Sequence, residues 1–244
     1  MSKGLAAALA LLAAGTLVSA CESTQDKSAK LAKEAKKVVQ AKGLTVTKEN
    51  PDVSVLSTAV VHDENGTAAV VELRNKTSKP LVALPLAIEV TDSAGKSLFK
   101  NNAAGLAPSL VQAALIPPHG KLAWVDDQVQ VSVDPHAVKA KVGIPPKATP
   151  GEDKPPEIVV GAPHFENDDI SGLAAVGRVT NKSKTDQRKL TIFAVARKGG
   201  RVVAAGRGQI DRLKAGKGAT YHIFFIGNPK GAQLTVSAPP TTFQ

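Results

Sequence analysis

The chain has 244 residues, a net charge of +10 at neutral pH, 43% apolar residues and 3% aromatic residues. This apolar fraction is large enough to build sizeable cores. Cys21 is the single cysteine, which excludes an internal disulfide and any metal site that needs several thiolates.

The chain begins with a short apolar segment. Lys3 precedes the uncharged run from Leu5 to Val18, which is shorter than the roughly 20 residues of a membrane-spanning helix. The segment Val18-Ser19-Ala20-Cys21 resembles the bacterial lipobox. The resemblance implies transfer of a diacylglyceryl group to the Cys21 thiol, cleavage before Cys21 and acylation of the new amino group. Two or three such palmitate-like chains hold stably in a bilayer. The alternative is an uncleaved helix with a buried thiol.

Residues 1–20 are therefore predicted to be a lipoprotein signal peptide, and residues 21–43 a lipidated tether. The tether is rich in Ala, Lys and Glu, and Leu31, Ala35 and Val38 recur at helical spacing, so it is predicted to be partly helical. Its lysines indicate either a solvated stalk, which is the favoured interpretation, or a basic stripe on anionic headgroups.

A proline-rich break divides the rest of the chain. Gly143–Glu157 contains five prolines and is predicted to be a semi-stiff linker at residues 143–157. The flanking parts, residues 44–142 and 158–244, both alternate strand-like runs with turn signals.

The two parts follow one pattern. Placing Asn75 over Asn181 and Val90 over Val195 also brings Gly95 near Gly200, which indicates an internal repeat. Regular short strands with Gly, Asp and Pro turns are typical of β-sandwiches. The predicted fold is all-β: two tandem immunoglobulin-like β-sandwiches after a cleaved signal peptide and a short tether.

The order of strands and turns resembles the FxLYD-type immunoglobulin-like domains of bacterial envelope lipoproteins. The corresponding segments are Ile88–Asp92 in the first copy and Phe193–Arg197 in the second. The first keeps the aspartate without the aromatics, and the second keeps the leading phenylalanine. The resemblance implies the fold more than any activity, since that family is not associated with catalysis or with a fixed ligand.

The sequence carries no recognisable catalytic motif of the HExxH, GxSxG, CxxC or phosphate-loop type. Asp126-Asp127 and Asp168-Asp169 are adjacent pairs, and neighbours on a strand point to opposite faces. The chain is therefore predicted to be no enzyme and to need no cofactor.

Two turns combine histidine with acidic residues at equivalent places in the repeat. Such side chains can hold a divalent cation, although the same residues are expected in ordinary solvated turns, which is the favoured interpretation. The candidate metal ligands are His62, Asp63, Glu64, His164, Glu166 and Asp168.

Two aromatic residues are candidates for ligand contact. Trp124 is a core residue or, less favoured, a ligand platform. Phe224 and Phe225 are consecutive, so on a strand one of them faces outward, and Phe224 is the binding candidate.

These features predict a lipid-anchored extracytoplasmic binding or scaffolding protein in the cell envelope. Its expected partners are membrane lipid through acylated Cys21 and an envelope protein or anionic wall polymer, with no nucleic acid. The alternative is a solute- or metal-binding lipoprotein that serves a transporter or envelope enzyme, and an envelope hydrolase is the weakest hypothesis.

Overall fold

A computed structural model describes residues 43–145, 154–168 and 172–243. The predicted signal peptide, Cys21, nearly all of the predicted tether and residues 146–153 of the predicted linker lie outside the described residues. Lys42–Gln244 groups into one compact unit.

The unit is all-β, as predicted, and its strands fall on either side of the linker. The first part contains β1 (Val53–Asp63), β2 (Gly66–Asn75), β3 (Leu81–Thr91), β4 (Ser97–Lys100), β5 (Gln112–Ile116), β6 (Lys121–Asp126) and β7 (Ala137–Val142). The second part contains β8 (Ile158–Val160), β9 (His164–Asp168), β10 (Gly172–Asn181), β11 (Gln187–Lys198), β12 (Arg201–Leu213), β13 (Gly218–Phe224), β14 (Ile226–Gly227) and β15 (Gln233–Ser237).

Both parts pair their strands in the same antiparallel order. One sheet is β1-β2-β6 in the first part and β8/β9-β10-β13 in the second. In the other sheet of the first part, β3 is central, with β4 and β5 along one edge and β7 along the other. In the second part, β11 is central, with β12 on one edge and β15 on the other. We call the two parts sandwich 1 and sandwich 2.

The internal repeat is clearest at two buried asparagines, Asn75 and Asn181, each at the end of a central strand. The Asn75 side chain donates to the Lys79 and Ile116 carbonyls at 2.6 and 3.2 Å. The Asn181 side chain donates to the Thr185 and Leu213 carbonyls at 2.8 and 3.2 Å. Buried amides need such partners. Each asparagine therefore connects the loop that follows its own strand to the end of a strand in the other sheet of its sandwich.

The register corrects the sequence alignment by one residue. Val90 corresponds to Ala196, not to Val195, because the ladder shifts immediately after Val90 in sandwich 1 and immediately after Ala196 in sandwich 2. A slip of one residue moves a strand's side chains to the opposite face. Ile88 therefore points into its own core, whereas Phe193 points out of sandwich 2.

The two sandwiches pack against each other through one sheet each. β1, β2 and β6 contact β11, β12 and β14. Phe193, Val195 and Ile226 of sandwich 2 belong to the same hydrophobic cluster as Val70 and Val125 of sandwich 1. The four sheets are consequently stacked in one body, and sandwich 2 keeps a separate core of its own.

A single turn of helix, α1 (Pro108–Val111), connects β4 to β5 and buries Leu110. Among the described residues, no helix is both long and apolar enough to span a membrane.

Candidate functional site

Polar contacts fix the interface between the sandwiches. The Gly227 amide donates to the Asp63 carboxylate at 2.8 Å. The Arg197 guanidinium lies 3.4 Å from the Glu72 carboxylate. These contacts are only partly exposed, so solvent screens them less than it screens a surface ion pair.

Arg207 makes the most buried of these contacts. Its Nε lies 3.2 Å from the Asp127 carboxylate, and its backbone amide donates to the same group at 3.1 Å. Its Nη1 donates to the Ser109 hydroxyl at 3.1 Å. One arginine of sandwich 2 thus holds both the end of β6 and helix α1 of sandwich 1.

Two neighbouring carboxylates lie at this point. Burial raises the pKa of Asp126 to about 6, against the opposing effects of the Gln128 amide and of Arg207. Burial also raises the pKa of Asp127, and the Arg207 charge offsets part of that rise. Asp126 is 1% exposed, so its carboxyl has almost no direct contact with solvent through which to exchange a proton.

A cleft of about 480 Å³ opens beside the interface. It lies between β3, α1 and β5 of sandwich 1 and β11, β12 and the C-terminal segment of sandwich 2. Along the outer face of β11, Val195 and Phe193 are buried in the shared cluster, and Phe193 also borders the cleft, which Thr191 and Lys189 line further along the strand. The cleft is therefore the place where the two packed sheets diverge.

The walls of the cleft are mainly apolar. Its apolar lining includes Val82, Pro108, Phe193, Pro239 and Phe243. The polar lining consists of neutral side chains together with two cations, Arg188 and Lys189. A concave apolar site with a few convergent polar groups is the usual form of a small-molecule site.

Ser109 fixes the inner wall of the cleft. Its carbonyl accepts the Trp124 Nε1–H at 3.0 Å, while its hydroxyl accepts from Arg207. The cleft wall is thus tied to the core of sandwich 1 and to sandwich 2 at the same residue, which holds α1 in place.

Equivalent residues of the two sandwiches face each other across the cleft. Ala83 and Lys189, which occupy the same place in the repeat, both have a φ of +51° and both line the cleft. Such a conformation costs about 1–2 kcal/mol for a non-glycine residue. Because the same unfavourable conformation occurs at the same position in both copies, it is a feature of the repeated fold.

The predicted histidine and acidic residues of sandwich 1 lie in the β1–β2 hairpin. The Nδ1 atom of His62 lies 2.6 Å from the Thr67 hydroxyl, and its Nε2 lies 3.7 Å from Asp134. Asp63 accepts from the Asn65 amide at 2.8 Å as well as from Gly227, and Glu64 is exposed. Asp63 therefore serves the turn and the interface.

In sandwich 2 the predicted ligands lie on a strand and not in a turn. His164 also takes the place of Ala59 and not that of His62, because it pairs with Val176 as Ala59 pairs with Val70. Both points correct the sequence assignment. His164 and Glu166 belong to β9, and their side chains are 3.8 Å apart on an exposed face. Asp168 ends β9, and its side chain is outside the described atoms. Within residues 43–145, 154–168 and 172–243, no three His, Cys, Asp or Glu side chains are grouped to hold a metal ion.

The two aromatic candidates differ completely in exposure. Trp124 is 0% exposed and fills the core of sandwich 1, the interpretation that the sequence favoured. Phe224 is 44% exposed at the end of β13, while Phe225 is buried. The structure does not bring Trp124, Phe224 and the histidine turns together at the cleft.

The cleft residues Arg188, Gln209 and Ser109 were not predicted as a site. The sequence contains one signal that bears on them: β11 contains IFAVA, a continuous apolar run with bulky residues on both faces, whereas the bulky residues at the centre of β3 share one face. Continuous apolar runs are typical of strands buried on both faces. This signal locates the docking face without showing where it opens.

No family model matches the sequence, and no curated protein matches it. The likeness to FxLYD-type domains therefore stays a prediction. Among solved structures, the chain is similar to the exo-chitosanase CsxA of Amycolatopsis orientalis at 11% identity, over 74% of this chain and 25% of that one, with a TM-score of 0.26. A structure of the exo-beta-D-glucosaminidase CsxA gives 12% identity, 77% and 26% coverage and a TM-score of 0.27. The chain spans about a quarter of the length of these proteins, and scores this low carry no argument about its function.

Proposed function

We propose that the protein is a lipid-anchored, extracytoplasmic binding or scaffolding lipoprotein without catalytic activity. The observation that carries the proposal is the segment Val18-Ser19-Ala20-Cys21 at the end of an apolar run. Acyl chains on Cys21 would hold the folded unit at one membrane and raise its effective concentration toward partners on the same surface.

The packing of the two sandwiches supports a scaffolding role. Arg207, Arg197 and Asp63 link them, and the two share a hydrophobic cluster. A partner that contacts both sandwiches would meet one preorganised surface and would lose little free energy in ordering it.

The test is the mass and location of the full chain expressed in a bacterium. We expect a product that begins at Cys21, carries two or three acyl chains and sediments with membranes. Cys21→Ser should abolish acylation and cleavage, whereas the neighbouring Ser23→Ala should change neither. Recovery of an unmodified full-length chain from the cytosol would overturn the proposal.

A second candidate function is solute binding in support of a transporter or envelope enzyme. The cleft of about 480 Å³ favours it, because its volume and apolar walls suit a small molecule. Saturable binding of a small molecule that a cleft-filling substitution removes would support this candidate.

A further inference from the structure

We propose that the cleft between the sandwiches binds a small amphiphilic anion, with its apolar body against the cleft walls and its anionic group at Arg188. The inference rests on the second proposed function, that the cleft is a solute site, and adds the chemical class of the solute.

The apolar body has a defined place. Phe193 comes from the outer face of β11, and Val82 and Pro108 face it from sandwich 1. Pro239 and Phe243 extend the apolar wall along the C-terminal segment. An alkyl or aromatic group placed there leaves water for an apolar environment, which contributes about 25 cal/mol per Å² of buried apolar area.

The charge of the lining gives the sign of the polar group. The described residues that line the cleft include two cations and no carboxylate. Lys189 is already paired, since its Nζ lies 2.6 Å from Asp211. Arg188 is therefore the cation of the lining with which an anion in the cleft would pair. A guanidinium binds carboxylate, phosphate or sulfonate through paired hydrogen bonds.

The backbone of Arg188 is held firmly at the cleft. Its amide donates to the Thr242 hydroxyl at 3.0 Å, and its carbonyl accepts from the Thr241 hydroxyl at 2.7 Å. The neighbouring Gln187 fixes the same C-terminal segment by accepting from the Thr241 and Thr242 amides. Arg188 is thus positioned by the residues that form one wall of the cleft.

Neutral polar groups complete the site. Gln112 and Gln209 occupy equivalent positions, since Gln112 pairs with Pro85 on β3 and Gln209 pairs with Thr191 on β11. Both line the cleft, so each sandwich contributes one amide to it. Amides can donate to an anion and accept from a hydroxyl, but they add no charge that would compete with Arg188.

The experiment is calorimetric titration of the full chain carrying Cys21→Ser with decanoate, decanol and decylammonium, each below its aggregation concentration. We expect saturable one-to-one binding with decanoate at least about ten-fold tighter than decanol, because a hydrogen bond to a charged group is stronger than one to a neutral group. Decylammonium should bind more weakly than both.

Three variants locate the effect. Arg188→Gln should remove the preference for decanoate over decanol, and the matched Arg201→Gln, on the β11–β12 hairpin outside the cleft, should keep it. Ala114→Trp should fill the cleft and abolish binding of both probes. Ala107→Trp, at an exposed position of the lining, provides a second filling variant if Ala114→Trp fails to fold, as judged by its thermal unfolding.

The outcomes separate the two claims. Equal affinity for decanoate and decanol, both lost on filling the cleft, overturns the anion assignment and leaves the solute site standing. Binding that neither filling variant changes lies outside this cleft and overturns both claims, as does the absence of saturable binding.

Discussion

The outer faces of two equivalent sheets have the same small apolar residues at their centre, but the residues beside that centre differ. Ala68 and Val70 on β2 correspond to Ala174 and Val176 on β10, and all four are buried. In sandwich 1 the face is covered by sandwich 2, and Val125 lies beside Val70. In sandwich 2 the residue beside Val176 is His222, which is exposed.

The flanking residues therefore distinguish the covered face from the free one. His164 lies on the other side of Val176, where sandwich 1 has Ala59 beside Val70. A short apolar centre can be shielded by long polar neighbours, whereas a docked face needs apolar neighbours as well. The polar residues His222 and His164 beside Val176 make this face unsuitable for docking a further sheet, as the polar outer faces of capping repeats do in stacked-repeat proteins.

The other pair of sheets shows the same difference in reverse. The outer face of β11 presents Phe193 and Val195 to sandwich 1. The outer face of β3 carries Glu89, whose carboxylate lies 3.3 Å from Lys100. Each sandwich thus has one apolar outer face, and the two apolar faces are the ones that meet.

Exchanging one flanking residue should give the largest effect. Val125→His places in sandwich 1 the residue that sandwich 2 has at the same position, but there the site is 0% exposed. We expect a loss of about 2–4 kcal/mol in the free energy of unfolding, because the imidazole is buried without designed partners. The measurement is urea unfolding at pH 8.

The reciprocal change, His222→Val, is the matched control and should alter the free energy of unfolding by less than about 0.5 kcal/mol. Equal losses from both changes would show that the two faces are equally buried, and would contradict the comparison.

A second difference lies in the cores, where Asp126 takes the place that Ile223 has in sandwich 2, opposite Ala69 and Ala175 respectively. The folded-state pKa of Asp126 is about 6, above the value of about 3.9 for an unfolded chain. The folded state binds more protons between these values, so stability falls as the pH rises from about 4 to about 6. Asp126→Asn keeps an oxygen for the Gln128 amide and should raise the free energy of unfolding by about 1–3 kcal/mol at pH 8.

The pH profile checks the cause of that gain. The stabilisation by Asp126→Asn should shrink through pH 6 and be nearly absent at pH 4. A gain that is constant from pH 4 to pH 8 would mean that the carboxyl does not titrate in this range. The difference in the free energy of unfolding between the unsubstituted chain and Asp126→Asn isolates the contribution of Asp126. A contribution that rises between pH 4 and pH 6 would contradict the raised pKa.

The smallest effect is expected at the residue that corresponds to Trp124. Tyr221 occupies that place in sandwich 2, opposite Gly177, where a Cβ would collide with the tyrosine hydroxyl. Trp124 donates to Ser109, whereas the buried Tyr221 hydroxyl has no hydrogen-bond partner among the described residues. Tyr221→Phe should therefore leave the free energy of unfolding unchanged or raise it by up to about 1 kcal/mol.

Thermal and urea unfolding of Tyr221→Phe measure this directly. A loss of more than about 1 kcal/mol would show that the hydroxyl is hydrogen-bonded in solution, because such a loss is what a buried partner left unpaired would cost.

Local patterns predicted much of the fold. The turn residues around Gly95 and Gly200 and the alternation along β3 indicated antiparallel strands, and the placement of Asn75 over Asn181 found the repeat. The alignment failed by one residue at Val90, because apolar residues on both faces of β11 hide its period of two. The cleft could not be predicted, since Ser109, Arg188 and Gln209 meet only after the sandwiches dock.

The amino-acid sequence by itself determined the all-β class and indicated the two copies of one strand pattern, because strand periodicity and turn chemistry act over a few neighbouring residues. Only the tertiary structure decided which faces are covered, why Asp126 is buried and where the cleft opens. These depend on contacts such as Arg207 with Asp127, between residues far apart in the chain, where packing and desolvation outweigh local preference.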